Sequence, residues 1–443
     1  MIDLILTGAD RAALRSNLVG HTDERCAILF TSMAEAGGNN RLLSREVEFP
    51  ESKDYASRGP LQAELKPEFV ARVTKRARRD GMGLVFVHSH PGDDPPRFSK
   101  VDSMGEERLA AFLAHRHSGA THAALVISAG GMRARRLGAK EDIRLISVGS
   151  VRDVLSDPRP TDPSESDRYD RQTRLLGERA QRNLGSLRIA IVGLGGTGSL
   201  IAQELVHLGI RNFTLVDPDT IEPSNLNRVA EATTKDIGLA KVDVAARYIS
   251  KFSGDATIDC IRGDVMHTNV ARGLLSADLI FGCTDSHGSR SVLQQVAYQY
   301  LIPCIDMGVI IAVKEARISH IYGRVQLLAP GLACLTCGGL LDPNEVRRDM
   351  MTMFERRADP YIPGSQDPAP AVMSINATVA SLATTMMLAV VAGFPSSARH
   401  LLYNAMGSTL RTVGADSQQN CYICSRPGAL ARGDSWPLFA RST

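Results

Sequence analysis

The stretch RIAIVGLGGTGS, residues 188–199, decides the fold of the larger part of this chain. A β-branched apolar run ends in a loop holding Gly193, Gly195, Gly196 and Gly198. The following SLIAQELVHLG predicts a helix stopped by Gly209. In a strand–loop–helix unit of this kind the glycines permit a tight turn, and backbone N–H groups at the helix start approach phosphate. The next strand, NFTLVD, ends on Asp217, where an acidic side chain reaches a ribose hydroxyl. Alone, this pattern fits a nicotinamide dinucleotide as well as it fits ATP. Further strands, DLIFGCTD and IPCIDMG, alternate with helical patterns, which predicts a parallel, doubly wound sheet.

The residues beyond Asp217 separate the two nucleotides. SNLNR (224–228) supplies Asn225 and Arg228, GLAK supplies Lys241, and CTDSHGSR supplies Asp285. A hydride carrier has no need of two cations and a metal-binding carboxylate around its phosphates. Attack of a carboxylate on ATP does, because the cations offset triphosphate charge and magnesium steadies the pyrophosphate leaving group. With RYDRQTRLLGERAQRNL (168–184), these motifs resemble the ThiF/MoeB and ubiquitin-activating adenylating superfamily over residues 167–424. The resemblance implies a Rossmann-like domain that turns the C-terminal glycine of a ubiquitin-like protein into an acyl-adenylate. It implies that Gly193, Gly195, Gly196 and Gly198 hold the nucleotide and Asp217 binds ribose. Asn225, Arg228 and Lys241 contact phosphates, and Asp285 binds magnesium. Arg171 resembles an arginine that reaches the partner subunit's ATP, which implies a homodimer through this domain.

Of eight cysteines, four fall in CLTC (Cys334, Cys337) and CYIC (Cys421, Cys424). Two such pairs make a closed tetrahedral thiolate site, which is structural in zinc proteins; four buried thiols are the plainer reading. Relatives carry a further cysteine between the pairs as a thioester or sulfur acceptor. Residues 338–420 here contain none, and Ser365 is the nearby nucleophile. An unactivated hydroxyl is a poor one, so the adenylate is expected to pass to a conjugating enzyme or to a sulfur donor. Cys260, Cys283 and Cys304 lie on strand-like runs and read as buried core.

The first 155 residues carry a second chemistry. VFVHSHPGDDPPRFSKVD, residues 85–102, ends a predicted strand in His88 and His90, which point to one face. Asp102 is a suitable third zinc ligand if a helix begins near Ser99, leaving one position open, as catalytic zinc requires. Glu24, opening the strand ERCAILF, is placed to take a proton from water and return it to a leaving amine. HSHP, then S-x-x-D, with the upstream E-x-C-x-I-L strand, resembles the JAB/MPN (JAMM) zinc isopeptidase family, which cleaves or trims ubiquitin-like proteins. It implies an α/β domain with His88, His90 and Asp102 as ligands, Glu24 as general acid/base and Ser99 as oxyanion stabiliser. The loop from His90 to Asp102 is about one residue longer than that family's form.

Hydrophobic content of 44%, charged content of 22% and a net charge of +3 are ordinary for a globular protein and point to neither nucleic acid nor a membrane as partner. KRARR, residues 75–79, reads as a solvated helix face. The apolar run at 379–393 is shorter than a span needs and reads as a buried helix. No signal-peptide pattern opens the sequence, and paired CxxC motifs suit a reducing compartment, so a cytoplasmic location is expected. Three prolines in SDPRPTDPSESDR place a linker over 156–166, and residues 425–443 read as a loose tail. The whole is expected to be an enzyme fused from two: one exposes or releases the glycine of a ubiquitin-like protein, the other adenylates it. Such fusions resemble prokaryotic ubiquitin-like systems, some of them antiviral. Activation of a sulfur carrier for thiocarboxylate formation, or one inactive domain acting as a recruiter, are the alternatives.

Overall fold

A computed structural model of the chain describes residues 2–159, 167–352, 355 and 370–442. Residues 160–166 of the expected linker, and Ser365, lie outside them. The chain divides into two units.

The first unit comprises Met1–Pro160, Gln299–Leu301 and Arg426–Pro437. Its elements are β1 (Ile2–Thr7), α1 (Gly8–Leu18), β2 (Cys26–Ala36), β3 (Asn39–Glu48), β4 (Tyr55–Gly59), β5 (Gln62–Leu65), α2 (Pro67–Arg79), β6 (Gly83–Ser89), α3 (Lys100–Arg116), β7 (Ala123–Ser128), β8 (Gly131–Arg136), β9 (Asp142–Val148) and β10 (Arg152–Ser156). The main sheet runs β1-β3-β2-β6-β7-β8-β9-β10, and β9 also pairs with β1. The central strands β6 and β7 and the first half of β2 read as continuous apolar runs because both faces are covered. Ala27, Leu29, Val85 and Val87 face a core shared with Leu14 and Leu18 of α1. The alternate residues Ile28, Phe30, Leu84 and Phe86 face one shared with Phe69 and Val73 of α2 and Leu113 of α3. That alternation fixes where the next residues on β6 point.

The expected loose tail is not one. Arg426 Nη2 lies 2.5 Å from Asp10 Oδ1, Arg45 donates to the carbonyls of Leu430 and Arg426, and Ser32 donates to the carbonyl of Ala431. The Glu35 N–H donates to Asp434 Oδ2 at 2.7 Å. Arg426–Pro437 is thus an integral part of this unit, held by polar partners from β2, β3 and α1, of which Ser32 and Asp10 are buried.

The second unit comprises Thr161–Tyr298, Ile302–Ser425 and Leu438–Thr443. Its elements are α4 (Asp170–Leu176), α5 (Glu178–Ser186), β11 (Arg188–Val192), α6 (Gly198–His207), β12 (Asn212–Val216), α7 (Lys241–Phe252), β13 (Thr257–Ile261), α8 (Thr268–Gly273), β14 (Leu279–Gly282), α9 (His287–Gln299), β15 (Cys304–Lys314), β16 (Arg317–Leu328), α10 (Pro343–Met350), α11 (Met373–Val391), β17 (His400–Asn404) and β18 (Thr409–Thr412). The sheet order β13-β12-β11-β14-β15-β16-β17-β18 reverses direction beside β11. Neighbours from β13 to β15 pair in parallel, and from β15 to β18 antiparallel. In such sheets ligands bind beyond the carboxyl ends of the strands at the reversal. Among the described residues α11 is the one helix long and apolar enough to cross a membrane. Here it packs against α6, β15 and β16, with Val379, Ala383, Met387 and Val390 in the core. Residues 438–442 are also tied down: Arg441 pairs with Asp264 at 2.6 Å and donates its N–H to Met266 O at 2.7 Å.

Candidate functional sites

In the first unit, β2 and β6 pair antiparallel with Cys26 opposite His88. The same register, carried two residues on, sets Glu24 opposite His90. Both histidines continue the face of Leu84 and Phe86, the side covered by α3. Ser99 caps that helix: the Asp102 N–H donates to Ser99 Oγ at 3.1 Å, and the Ser99 N–H donates to Asp102 Oδ2 at 2.6 Å. This reciprocal cap turns the Asp102 carboxylate toward the strand end.

The result is a compact cluster. His88 Nε2 lies 3.2 Å from His90 Nε2 and 3.3 Å from Asp102 Oδ1, and His90 Nε2 lies 3.6 Å from Asp102 Oδ2. Zinc with nitrogen and oxygen ligands at ordinary bond lengths needs tetrahedral edges of about 3.3–3.4 Å. The His88–His90 and His88–Asp102 edges are close to that length, one donor atom from each of the three residues lies within 4.8 Å of the others, and the ligand types suit the ion. Glu24 Oε1 stands 3.8 Å from His90 Nε2, beside the set. Burial pushes the Glu24 carboxyl above its usual range, against the pull of both histidines. Asp102 is different: burial opposes its ionisation, but hydrogen bonds from His88, His90 and the Ser99 backbone hold it well below the carboxylate range. Its hydrogen bond raises His90 in turn. Ser99 is exposed, and its cap engages an oxygen lone pair rather than the hydroxyl proton.

The second unit gathers the other expected residues at the carboxyl ends of β11, β12 and β14. Gly193 has φ +90°, and a Cβ there would meet the Cys283 carbonyl oxygen at 2.7 Å. The glycine loop thus crosses directly over the end of β14. Asp217 is 4% exposed. It accepts the Leu194 N–H at 2.6 Å and the Asp219 N–H at 2.9 Å. Burial raises its carboxyl above the usual range, with Lys241 opposing.

Lys241 opens α7, and its Nζ lies 4.0 Å from Asp217 Oδ1 but 2.8 Å from Asp219 Oδ2. Asp219 was not foreseen, although a second acid two residues past Asp217 was visible in the sequence. Asn225 is buried and accepts the Glu222 N–H at 3.2 Å, building the turn that carries Arg228. Arg228 donates to the carbonyl of Ser224 at 2.5 Å. A Cβ on Gly196 would lie 2.2 Å from Asn376 Nδ2 and 3.4 Å from Arg228 Cδ. Asn376 is the other residue that the sequence did not single out; a buried amide heading the apolar α11 was its signal. Gly195 meets nothing within 4 Å and faces open space. Asp285 is exposed just past β14, and Arg171 is exposed on α4.

The four motif cysteines come together. Cys334 Sγ lies 3.6 Å from Cys421 Sγ, and Cys337 Sγ 3.5 Å from Cys424 Sγ. All four sulfurs lie within 4.8 Å of one another, close to the edge of about 3.8 Å that tetrathiolate zinc requires. N–H groups of Cys337, Gln418 and Ile423 point at three of the sulfurs, which suits thiolate charge. Hydrogen bonding to Cys424 and burial hold the Cys334 thiol well above its ordinary range, the cost a cation would relieve. Of the four cysteines outside the motifs, Cys26 and Cys304 are buried and Cys283 is partly so. Cys260 is exposed, contrary to expectation, because β13 is the outer strand of its sheet.

A parallel sheet with its glycine loop, acid and cations at the reversal is an adenylate-forming type of Rossmann site. The chain belongs to the ThiF family, whose model matches residues 169–424. It is 25% identical to the SAMP-activating enzyme E1 of Haloferax volcanii over 271 residues, 60% of this chain and 92% of that protein. It is likewise 25% identical to the molybdopterin-synthase adenylyltransferase of Escherichia coli over 265 residues, 58% of this chain and 96% of that protein. An adenylyltransferase and sulfurtransferase uba4 of Aspergillus clavatus shares 30% identity over 159 residues, 35% of this chain and 32% of that protein. Among solved structures, E. coli MccB with succinimide aligns at TM-score 0.46 and 18% identity, covering 60% of this chain and 75% of that one.

Proposed function

We propose that the second unit activates the C-terminal carboxylate of a ubiquitin-like protein with ATP, and that the first is a JAMM-type zinc peptidase acting on the same terminus. The adenylating half is supported by family membership and by the names of its relatives, among them enzymes that activate SAMP and molybdopterin synthase. A substrate carboxylate oxygen attacks the α-phosphorus of ATP, the bond to the β-phosphate oxygen breaks, and pyrophosphate leaves. Arg228 and Lys241 offset the phosphate charge, Asp217 orients the ribose, and Asp285 would hold magnesium, which adds positive charge at the leaving group. Exposed Arg171 would serve a second copy's nucleotide in a homodimer.

One observation carries the peptidase half: His88, His90 and Asp102 bring one donor atom each within 4.8 Å of one another, with Glu24 beside them. Zinc bound there supplies Lewis acidity and makes water more acidic. Glu24 takes the proton of the attacking water and returns it to the leaving amine. The Ser99 hydroxyl donates to the developing oxyanion. The raised Glu24 carboxyl suits both proton transfers.

A second reading comes from the relative named as both adenylyltransferase and sulfurtransferase: the adenylate goes to a sulfur donor, giving a thiocarboxylate. Intact-mass analysis of a candidate ubiquitin-like protein after incubation with the chain, ATP, magnesium and zinc, with and without added sulfide, decides among these. Trimming lowers its mass, activation adds AMP, and a thiocarboxylate replaces one oxygen by sulfur. A protein that keeps its mass in every condition counts against both halves.

A further inference from the structure

We propose that the buried Glu106–Arg135 pair is a positioning device that aims Asp102 at the two histidines; this rests on reading His88, His90 and Asp102 as a metal seat. Arg135 on β8 is 7% exposed and Glu106 on α3 is 6% exposed. The guanidinium donates from Nε to Glu106 Oε2 and from Nη2 to Oε1, both at 2.9 Å. Nη2 also donates to Ser103 Oγ at 3.1 Å. Its central carbon stands 3.9 Å from the Phe98 ring centroid, and that ring in turn lies 6.2 Å from the His88 ring.

These contacts bracket the ligand. Phe98 precedes the capping Ser99, Ser103 follows Asp102, and Glu106 lies one turn further along α3. One planar guanidinium therefore holds the chain before and after Asp102. The helix's other core contacts, from Leu109, Ala110, Phe112 and Leu113, lie beyond Glu106, away from Asp102. A buried ion pair is a poor way to gain stability, since apolar residues of similar volume serve as well or better. A bidentate fork is a good way to fix direction. Outer partners that orient a ligand carry about 10–100-fold in metal affinity.

The test uses the full chain, with zinc affinity measured by chelator competition and cobalt(II) spectra reporting the geometry. The double variant Glu106→Leu/Arg135→Met should fold with a thermal midpoint near wild type, yet bind zinc at the histidine site about 10–100-fold more weakly, with an altered cobalt spectrum. Arg135→Lys keeps the charge but not the fork, and should lose part of that affinity. Wild-type affinity and spectrum in a folded double variant overturn the proposal. If the double variant does not fold, wild-type affinity in Arg135→Lys does so. A metal content that His88→Ala leaves unchanged refutes the seat itself, a result distinct from an intact seat indifferent to Arg135.

Discussion

A Cβ on Gly198 would stand 1.8 Å from the carbonyl oxygen of Gly193. The clash is with backbone, so no side-chain rotation relieves it. Gly198→Ala must open the loop that β11 hands to α6, costing about 1–3 kcal/mol by overpacking alone and moving the N–H groups away from phosphate. Isothermal titration should show ATP binding lost or severely weakened, with a lower unfolding midpoint. Gly195→Ala, where nothing crowds the site of substitution, should retain binding better than Gly198→Ala.

If Asp217 contacts the ribose as proposed, ATP binding should be sensitive to acid. An unfolded aspartate titrates near about 3.9, and burial raises the folded value above that. Above the raised value both states are ionised and the fold bears the buried charge. Stability from this group therefore increases as pH falls through the folded pKa, and below the unfolded pKa it changes no further. Nucleotide affinity runs the opposite way, because a protonated carboxyl is a weaker acceptor for ribose hydroxyls. Titrations at falling pH should show ATP affinity declining before an ordinary aspartate would protonate. Asp217→Asn should bind about 10–100-fold more weakly at neutral pH and lack that decline.

Glu24 stands beside the ligand set rather than within it, so its loss should separate chemistry from metal binding. Glu24→Gln should retain zinc by elemental analysis while cleavage of an extended ubiquitin-like precursor falls by about 100-fold or more. Loss of metal along with activity would make Glu24 a ligand and the assignment wrong.

The two clusters should release zinc differently. A site with three protein ligands and an open position gives up metal to a chelator more readily than a closed thiolate site whose metal is part of the fold. Mild EDTA, removed before magnesium is added back, should take about one of two zinc equivalents and abolish cleavage while leaving pyrophosphate exchange intact. Cys421→Ser should lower the unfolding midpoint of the second unit and reduce its zinc content.

What could be read from the sequence was what local pattern encodes. The run into Gly193, the acid at Asp217 and the CxxC pairs each sit within a few residues, and the strand–loop–helix they imply is present in the structure. His88 and His90 were legible for the same reason, since strand periodicity sets both on one face. Asp219, Asn376 and Arg135 were not, because their importance lies in what touches them across the fold. Arg135 meets Phe98 and Glu106 only once β8 lies beside α3. The exposure of Cys260 depends on β13 having no neighbour on its outer side, and an edge strand looks like any other in sequence. The expected tail failed most plainly: the partners of Arg426 and Ala431 are Asp10, Arg45 and Ser32.

That last arrangement sets an order of events during synthesis. Domains usually fold as they emerge, the N-terminal one first, but this one lacks residues 426–437 until the ribosome has made all but the last residues of the second unit. A nascent or prematurely terminated chain therefore carries the histidines without the segment that completes their fold. The hydrolytic chemistry proposed for the histidine cluster would then arise only in molecules whose residues 167–424 have already been made.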